Sequence, residues 1–254
     1  MSTACGRNKN AAKEVVETAK LSCEAVFFWK NYMSENKIVT LAEDTPLILD
    51  GGAALSKFKT AYTTYGTLNE KKNNAILVCH ALTGDQFVAS DHPITKKSGW
   101  WSMVVGPNKS IDTNKFFVIC PNVIGGCMGS TGPKEINPES KKEFATDFPV
   151  VTIADMVRAQ KLLIDYLKIE KIFCVTGGSM GGMLVLEWLS KFPEMVHSAI
   201  PIATATNHSA QNIALNELAR QSIMADPNWQ SGNYYHTDKK PLKGLSVARM
   251  AAHI

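Results

Sequence analysis

The stretch Val175-Thr176-Gly177-Gly178-Ser179-Met180-Gly181-Gly182 constrains the fold of this chain more than any other. A short apolar run, Lys171 to Val175, leads into it, and Met183 to Phe192 follows with apolar residues at helical spacing. The order is strand, sharp turn, helix, and Gly177-Gly178-Ser179-Met180-Gly181 fits the G-x-S-x-G nucleophile elbow. A serine on so tight a turn has a strained backbone, and flanking glycines remove side chains that would clash. Its hydroxyl projects above the sheet edge at a helix N-terminus, where the free N–H of Met180 can face a developing oxyanion. The same pattern also suits a Gly-rich strand-to-helix turn without chemistry, so structural context must decide.

The runs around the elbow extend the alternation. Ala75–His80 is continuously apolar, as in a strand buried on both faces of a parallel sheet, and empties into Ala81-Leu82-Thr83-Gly84-Asp85. Lys115–Pro121 reads as the next buried strand, followed by a loop with four glycines between Asn122 and Pro133. That loop lacks the G-K-[ST] ending of a phosphate-binding loop and reads as an active-site rim. Thr152–Leu167 is the clearest amphipathic helix, with Thr152 and Asp155 as a capping pair. Ser198–Ile202 is a further short strand. Alternating strands and helices imply a parallel sheet with right-handed crossovers, an α/β fold. Upstream, Ile38–Leu41, Pro46–Leu49 and the aromatic, β-branched Phe58–Tyr65 read as strands, with Asp50-Gly51-Gly52 as a hairpin turn. After Thr204 the pattern changes: His208–Ala225 is helical, Asp226-Pro227 breaks it, and another helix begins at Ser246.

Three domains are expected: an extra, dispensable segment over 1–33, an incomplete core over 34–204, and the start of a helical lid over 205–254. Ala11 to Tyr32 reads as a helix, but Lys20 and Glu24 interrupt its apolar run and no small-residue cleavage site follows a long apolar core, so it is no clear signal peptide. A chain of 254 residues with 45% hydrophobic and 20% charged residues supports one large α/β domain. A net charge of +4, carried on short lysine pairs, provides no basic stripe for nucleic acid, and no apolar run is long enough to span a membrane. The six cysteines form neither C-x-x-C nor zinc spacing, and Cys79, Cys120 and Cys174 sit inside apolar runs as small buried hydrophobes. That pattern suits a reducing, cytoplasmic compartment and no metal site. Cys127 lies in the Gly-rich loop with no base placed near it, and His80 reads as a packed strand-end histidine rather than a catalytic one.

Four motifs in this order carry a specific resemblance: His80-Ala81-Leu82-Thr83-Gly84; Asn122 to Pro133; Gly178-Ser179-Met180-Gly181-Gly182; and Asn216-Glu217-Leu218-Ala219-Arg220-Gln221 with Asp226-Pro227 and Trp229 after it. From about Leu47 onward the chain resembles the homoserine O-acetyltransferase family, α/β-hydrolase-fold enzymes of methionine biosynthesis. The resemblance implies transfer of an acetyl group from acetyl-CoA to the hydroxyl of L-homoserine through an acyl-serine. It makes Ser179 the nucleophile, Leu82 and Met180 the oxyanion N–H donors, and Arg220 the residue that holds the amino-acid carboxylate. A planar guanidinium suits that task, although a surface ion pair on a lid helix is the commoner use of such a residue. Acetyl-CoA is then a substrate and no cofactor is implied. The motifs leave open an acetyl or succinyl donor and a homoserine or serine acceptor.

One departure accompanies the matches. The fold orders its triad Ser, then Asp or Glu, then His. After Ser179 come His197, His208, His236 and His253, and acids including Glu194, Glu217, Asp226 and Asp238, none following a strand at the sheet edge. The triad Asp and His are therefore expected to be absent, and the chain to lack the family's C-terminal third. Two rival readings follow: a serine hydrolase on the same fold, or an inactive fragment. The expected partner is a homodimer mate or a complementary C-terminal fragment.

Overall fold

Among the described residues, ten strands and four α-helices are arranged so that the elbow stands beside the end of a buried strand. The computed structural model describes residues 36–137 and 140–252, so the expected helix over Ala11–Tyr32 and the dispensability of residues 1–33 lie outside the described residues. In chain order the strands are β1 (Lys37–Leu41), β2 (Leu47–Ile48), β3 (Ala54–Leu55), β4 (Phe58–Tyr65), β5 (Ala75–Cys79), β6 (Val105–Gly106), β7 (Ile111–Asp112), β8 (Phe117–Pro121), β9 (Ile172–Gly178) and β10 (Ala199–Ile202). The helices are α1 (Ile153–Tyr166), α2 (Met180–Lys191), α3 (Ala210–Met224) and α4 (Leu242–Ala251).

The main sheet has the order β1-β4-β8-β5-β9-β10. The four strands expected to be parallel are so, while β4 runs antiparallel to both β1 and β8. All five residues of β5 are buried, as its unbroken apolar run requires of a strand covered on both faces. Its neighbours are β8 on one side and β9 on the other, so the connections diverge at β5. A crevice forms beyond the carboxyl ends at such a switch point. Asp50–Gly52 does turn a hairpin, with Leu47 opposite Leu55.

Helix α1 begins with the full reciprocal cap. Thr152 Oγ1 accepts from the Asp155 N–H at 3.1 Å, and Asp155 Oδ2 accepts from the Thr152 N–H at 2.8 Å. Asp155 is also fully buried, and its Oδ1 accepts the Asp50 N–H at 2.9 Å and faces Arg158. The capping residue thus joins the β2–β3 hairpin to the helix. Opposite it, α2 buries Leu184, Val185 and Trp188, and the Trp188 indole donates to Gln160 Oε1 of α1 at 2.8 Å.

Two helix starts differ from expectation by three residues or more, while the ends of α1 and α3 fall within two residues of it. Helix α2 starts at Met180, three residues before the expected Met183, because it begins directly after Ser179. Helix α4 starts at Leu242 rather than Ser246. Gly244, inside the added turn, is a packing contact: a Cβ there would lie 2.4 Å from the Ser222 carbonyl oxygen of α3, and its N–H donates to Asp226 Oδ2 at 3.0 Å. Helices α3 and α4 pack on one another, and α3 buries none of its residues.

Candidate active site

Cys79 of β5 pairs with Gly177 of β9, so both strands end level and their following residues leave at the same sheet edge. Gly177 and Gly181 make that approach possible. A Cβ at Gly181 would lie 2.1 Å from the Cys79 carbonyl oxygen, and one at Gly177 would lie 2.6 Å from the same oxygen. Ser179 adopts φ 56°, ψ −121° as the N-cap of α2, a conformation that costs a non-glycine residue roughly 1–3 kcal/mol. Its backbone is tied on both sides. The N–H donates to the Ile202 carbonyl of β10 at 3.0 Å, and its carbonyl accepts from Gly182 N–H at 2.9 Å and Thr204 Oγ1 at 2.9 Å. The side chain is exposed, and among the described residues nothing hydrogen-bonds its Oγ. Met180 is the first residue of the helix, where an N–H has no intrahelical acceptor.

Ser179 opens onto a cleft of about 540 Å³, walled on one side by Gly178, Ser179 and Ala203 and on the other by the segment from Ala81 to Trp101. Leu82 sits in a tight turn closed by the Gly84 N–H donating to the Ala81 carbonyl at 2.9 Å. Its neighbours Ala81, Thr83 and Gly84 line the cleft, and its own side chain is exposed. Behind this turn, His80 is buried. Its Nε2 accepts the Val123 N–H at 3.2 Å, which leaves Nδ1 to donate to the Ala81 carbonyl at 2.8 Å. Burial lowers its pKa, against the smaller opposing effects of that Ala81 contact and of Asp85. His80 is therefore the packed strand-end histidine that was expected, and it holds the Leu82 turn against the Gly-rich loop.

Contrary to expectation, that loop is not an active-site rim: none of residues 122–133 lines the cleft. It folds back on β4, where Ser130 Oγ accepts the Ala61 N–H at 3.0 Å and Thr131 Oγ1 accepts the Lys59 N–H at 2.8 Å. Its hydroxyls satisfy strand backbone, so the loop forms a second layer behind the Leu82 turn. Cys127 is exposed and outside the cleft. Cys79, Cys120 and Cys174 are free and buried, and burial pushes the Cys79 thiol up to about 12.

The structure does not bring Arg220 into the cleft. It stands exposed on α3, with Nε donating to Glu217 Oε2 at 2.9 Å, the surface ion pair of the alternative reading. His197 packs its ring at a tilt against Phe173 and donates its backbone N–H to the Ile172 carbonyl, at the opposite end of β9 from Ser179. His236 pairs with Glu143 at 2.5 Å, His208 precedes α3 on the surface, and His253 lies outside the described residues. Among the described residues no His, Cys, Asp or Glu cluster forms a metal-binding group.

The residues that make the facing wall carry no motif in the sequence. Asp85 Oδ2 meets His92 Nε2 at 3.1 Å, and Asp85 Oδ1 accepts the Phe87 N–H at 2.8 Å. His92 Nδ1 accepts the Ile94 and Thr95 N–H groups, each at 3.1 Å. With both ring nitrogens engaged, His92 shares the cleft with Ser179 without being free to act as its base. The Trp100 indole donates to the Asp85 carbonyl at 3.0 Å, and Phe87 and Trp101 complete an aromatic wall. The one signal available was Gly99-Trp100-Trp101, since this segment has no period of either 2 or 3.6.

The family model described as alpha/beta hydrolase fold matches residues 74–254. The chain is 61% identical over 217 residues to a homoserine O-acetyltransferase of Mesorhizobium japonicum, covering 85% of this chain and 56% of that protein. It is 62% identical over 211 residues to a homoserine O-acetyltransferase of Pelagibacter ubique, covering 83% and 57%. The chain thus spans a little over half the length of these curated relatives. Among solved structures, the homoserine O-acetyltransferase from Bacillus anthracis superposes with a TM-score of 0.80 at 32% identity, over 87% of this chain and 60% of that one. Esterase E22 superposes with a TM-score of 0.79 at 33% identity, over 87% and 61%.

Proposed function

The chain belongs to the α/β-hydrolase fold family, and we propose that it supplies the nucleophile and oxyanion elements of an acyltransferase that moves an acetyl group from acetyl-CoA to the hydroxyl of L-homoserine. The observation that carries this reading is Ser179: a strained elbow serine whose hydroxyl is free and faces a cleft, in a chain about 60% identical to curated homoserine O-acetyltransferases. Ser179 Oγ attacks the thioester carbonyl, a C–O bond forms, the C–S bond breaks, and the CoA thiolate leaves and takes up a proton. The homoserine hydroxyl then attacks the acyl-serine, loses its proton, and Ser179 regains one. The Leu82 and Met180 N–H groups hold the carbonyl oxygen in both steps. Helices α3 and α4 act as a lid, and Arg220 takes the acceptor carboxylate. Its present pair with Glu217 is solvent-exposed, and such pairs are weak enough to exchange. The place in methionine biosynthesis and the cytoplasmic location are part of the same proposal, the latter supported by three buried free thiols.

The test uses this chain, and a hybrid in which the Mesorhizobium japonicum relative supplies the length that this chain does not match. Thiol release from acetyl-CoA is followed with and without homoserine. The hybrid is expected to release thiol only with homoserine, and to lose activity in Ser179→Ala. The chain alone is expected to turn over slowly, since no described base touches Ser179 and a serine without its base is a weak nucleophile. Arg220→Lys in the hybrid is expected to raise the homoserine KM, because a point charge does not reproduce the fork. An unchanged KM returns Arg220 to its ion pair. The similarity to esterase E22 supports a second reading, ester hydrolysis. Thiol release at the same rate with and without homoserine decides for it.

A further inference from the structure

The wall facing Ser179 is built as a stiff finger. Its base is fixed where the Trp101 N–H donates to the Val88 carbonyl at 2.8 Å and where a Cβ on Gly99 would lie 2.5 Å from the Ala89 nitrogen. Its tip is closed by the His92 N–H donating to the Lys97 carbonyl at 2.8 Å and by the Lys96 N–H donating to the His92 carbonyl at 2.9 Å. The Asp85–His92 pair staples the tip back to the oxyanion turn. The backbone of Lys97 is therefore held in place, while its side chain is exposed and lines the mouth of the cleft.

The charge in this cleft is uneven. The cleft has two formally charged lining residues besides His92, Asp85 and Lys97. Both Asp85 oxygens are already engaged, one by the Phe87 N–H and one by His92. Among the described residues nothing pairs with the Lys97 ammonium. The inner wall is apolar and aromatic: Phe87 and Gly99 are buried, and the Trp100 and Trp101 rings lie 5.2 Å apart. A cleft of about 540 Å³ is far roomier than a small amino acid needs and falls in the range of small-ligand sites. An apolar wall with a cation at the outer lip suits a ligand with a long uncharged arm and an anionic far end.

We propose that Lys97 anchors the phosphate-bearing end of the acyl donor, so that this cleft selects a CoA-type thioester over a phosphate-free one. The proposal rests on the acyltransferase reading and adds the residue that distinguishes among donors. Lysine acts at phosphate as a point charge on a flexible stem, which tolerates the approach of a mobile ligand end.

The experiment measures equilibrium binding to the full chain carrying Ser179→Ala, which prevents turnover, by quenching of tryptophan fluorescence. The probes are acetyl-CoA and S-acetylpantetheine, which has the same arm without phosphate. Lys97→Gln is expected to weaken acetyl-CoA binding roughly tenfold, the size of one charge-assisted contact, and to leave S-acetylpantetheine unchanged. Lys97→Arg is expected to restore most of the loss, and Lys96→Gln, altering the neighbouring cation outside the cleft, to have no such effect. The salt dependence of acetyl-CoA binding is expected to flatten in Lys97→Gln, since exposed charges are screened. An unchanged ratio of the two affinities in Lys97→Gln overturns the proposal while leaving the acyltransferase reading standing. Failure of both thioesters to bind, with p-nitrophenyl acetate still hydrolysed by the protein with Ser179 intact, overturns both.

Discussion

Ser179→Gly is expected to make the protein more stable while removing the proposed nucleophile. The residue sits at φ 56°, ψ −121°, where a Cβ costs roughly 1–3 kcal/mol and glycine is at ease. Glycine also loses more freedom on folding, which offsets about 0.5–1 kcal/mol of that relief. The side chain itself contributes little, since its Oγ has no described hydrogen-bond partner. The net gain is therefore about 0–2.5 kcal/mol, centred near 1, and for a domain of this size each kcal/mol is worth roughly 2–4 °C in Tm. Ser179→Ala is the control: it removes the hydroxyl but keeps the Cβ, so it should melt with the parent protein. Thermal unfolding of the three proteins, followed by circular dichroism, measures the difference. If Ser179→Gly melts no higher than Ser179→Ala, the elbow is not strained at this residue and the argument for a built nucleophile position fails.

Gly181→Ala is expected to cost more than about 3 kcal/mol, because its Cβ meets the Cys79 carbonyl rather than a movable side chain. Gly51→Ala, which meets nothing within 4 Å, should be nearly neutral, and urea midpoints compare the two. Burial holds the His80 pKa below the ordinary 6.5, so the unfolded chain takes up this proton first as pH falls. Its contribution to stability is thus complete above about pH 6.5 and declines below it, by up to about 1.4 kcal/mol per pH unit. The stability gap between the parent and His80→Gln should therefore narrow on acidification, and parallel pH profiles would contradict this. Asp155→Ala leaves the Asp50 and Thr152 N–H groups and Arg158 without their shared carboxylate. A loss of about 3 kcal/mol in thermal unfolding is expected.

What the sequence by itself determined was local. A buried parallel strand announces itself as an unbroken apolar run, so β5, β8 and β9 were legible within a few residues. The cap of α1 was legible because Thr152 and Asp155 satisfy each other's N–H groups within a single turn. The elbow was legible because strand, glycines, serine and helix are contiguous. Tertiary structure decided everything that depends on approach between distant segments. The last helix reads as beginning at Ser246, yet α4 begins at Leu242, and Gly244 is the place where it touches α3. The Gly-rich loop reads as a rim, yet Ser130 and Thr131 turn it onto β4, some seventy residues earlier in the chain. The facing wall of the cleft was the least legible part. Asp85, His92, Lys97 and Trp100 form no periodic pattern, and they come together only because side-chain bonds to backbone fold their loop into a finger. Periodicity records burial on a regular element, whereas a loop that builds a site is shaped by hydrogen bonds whose partners are set by the fold.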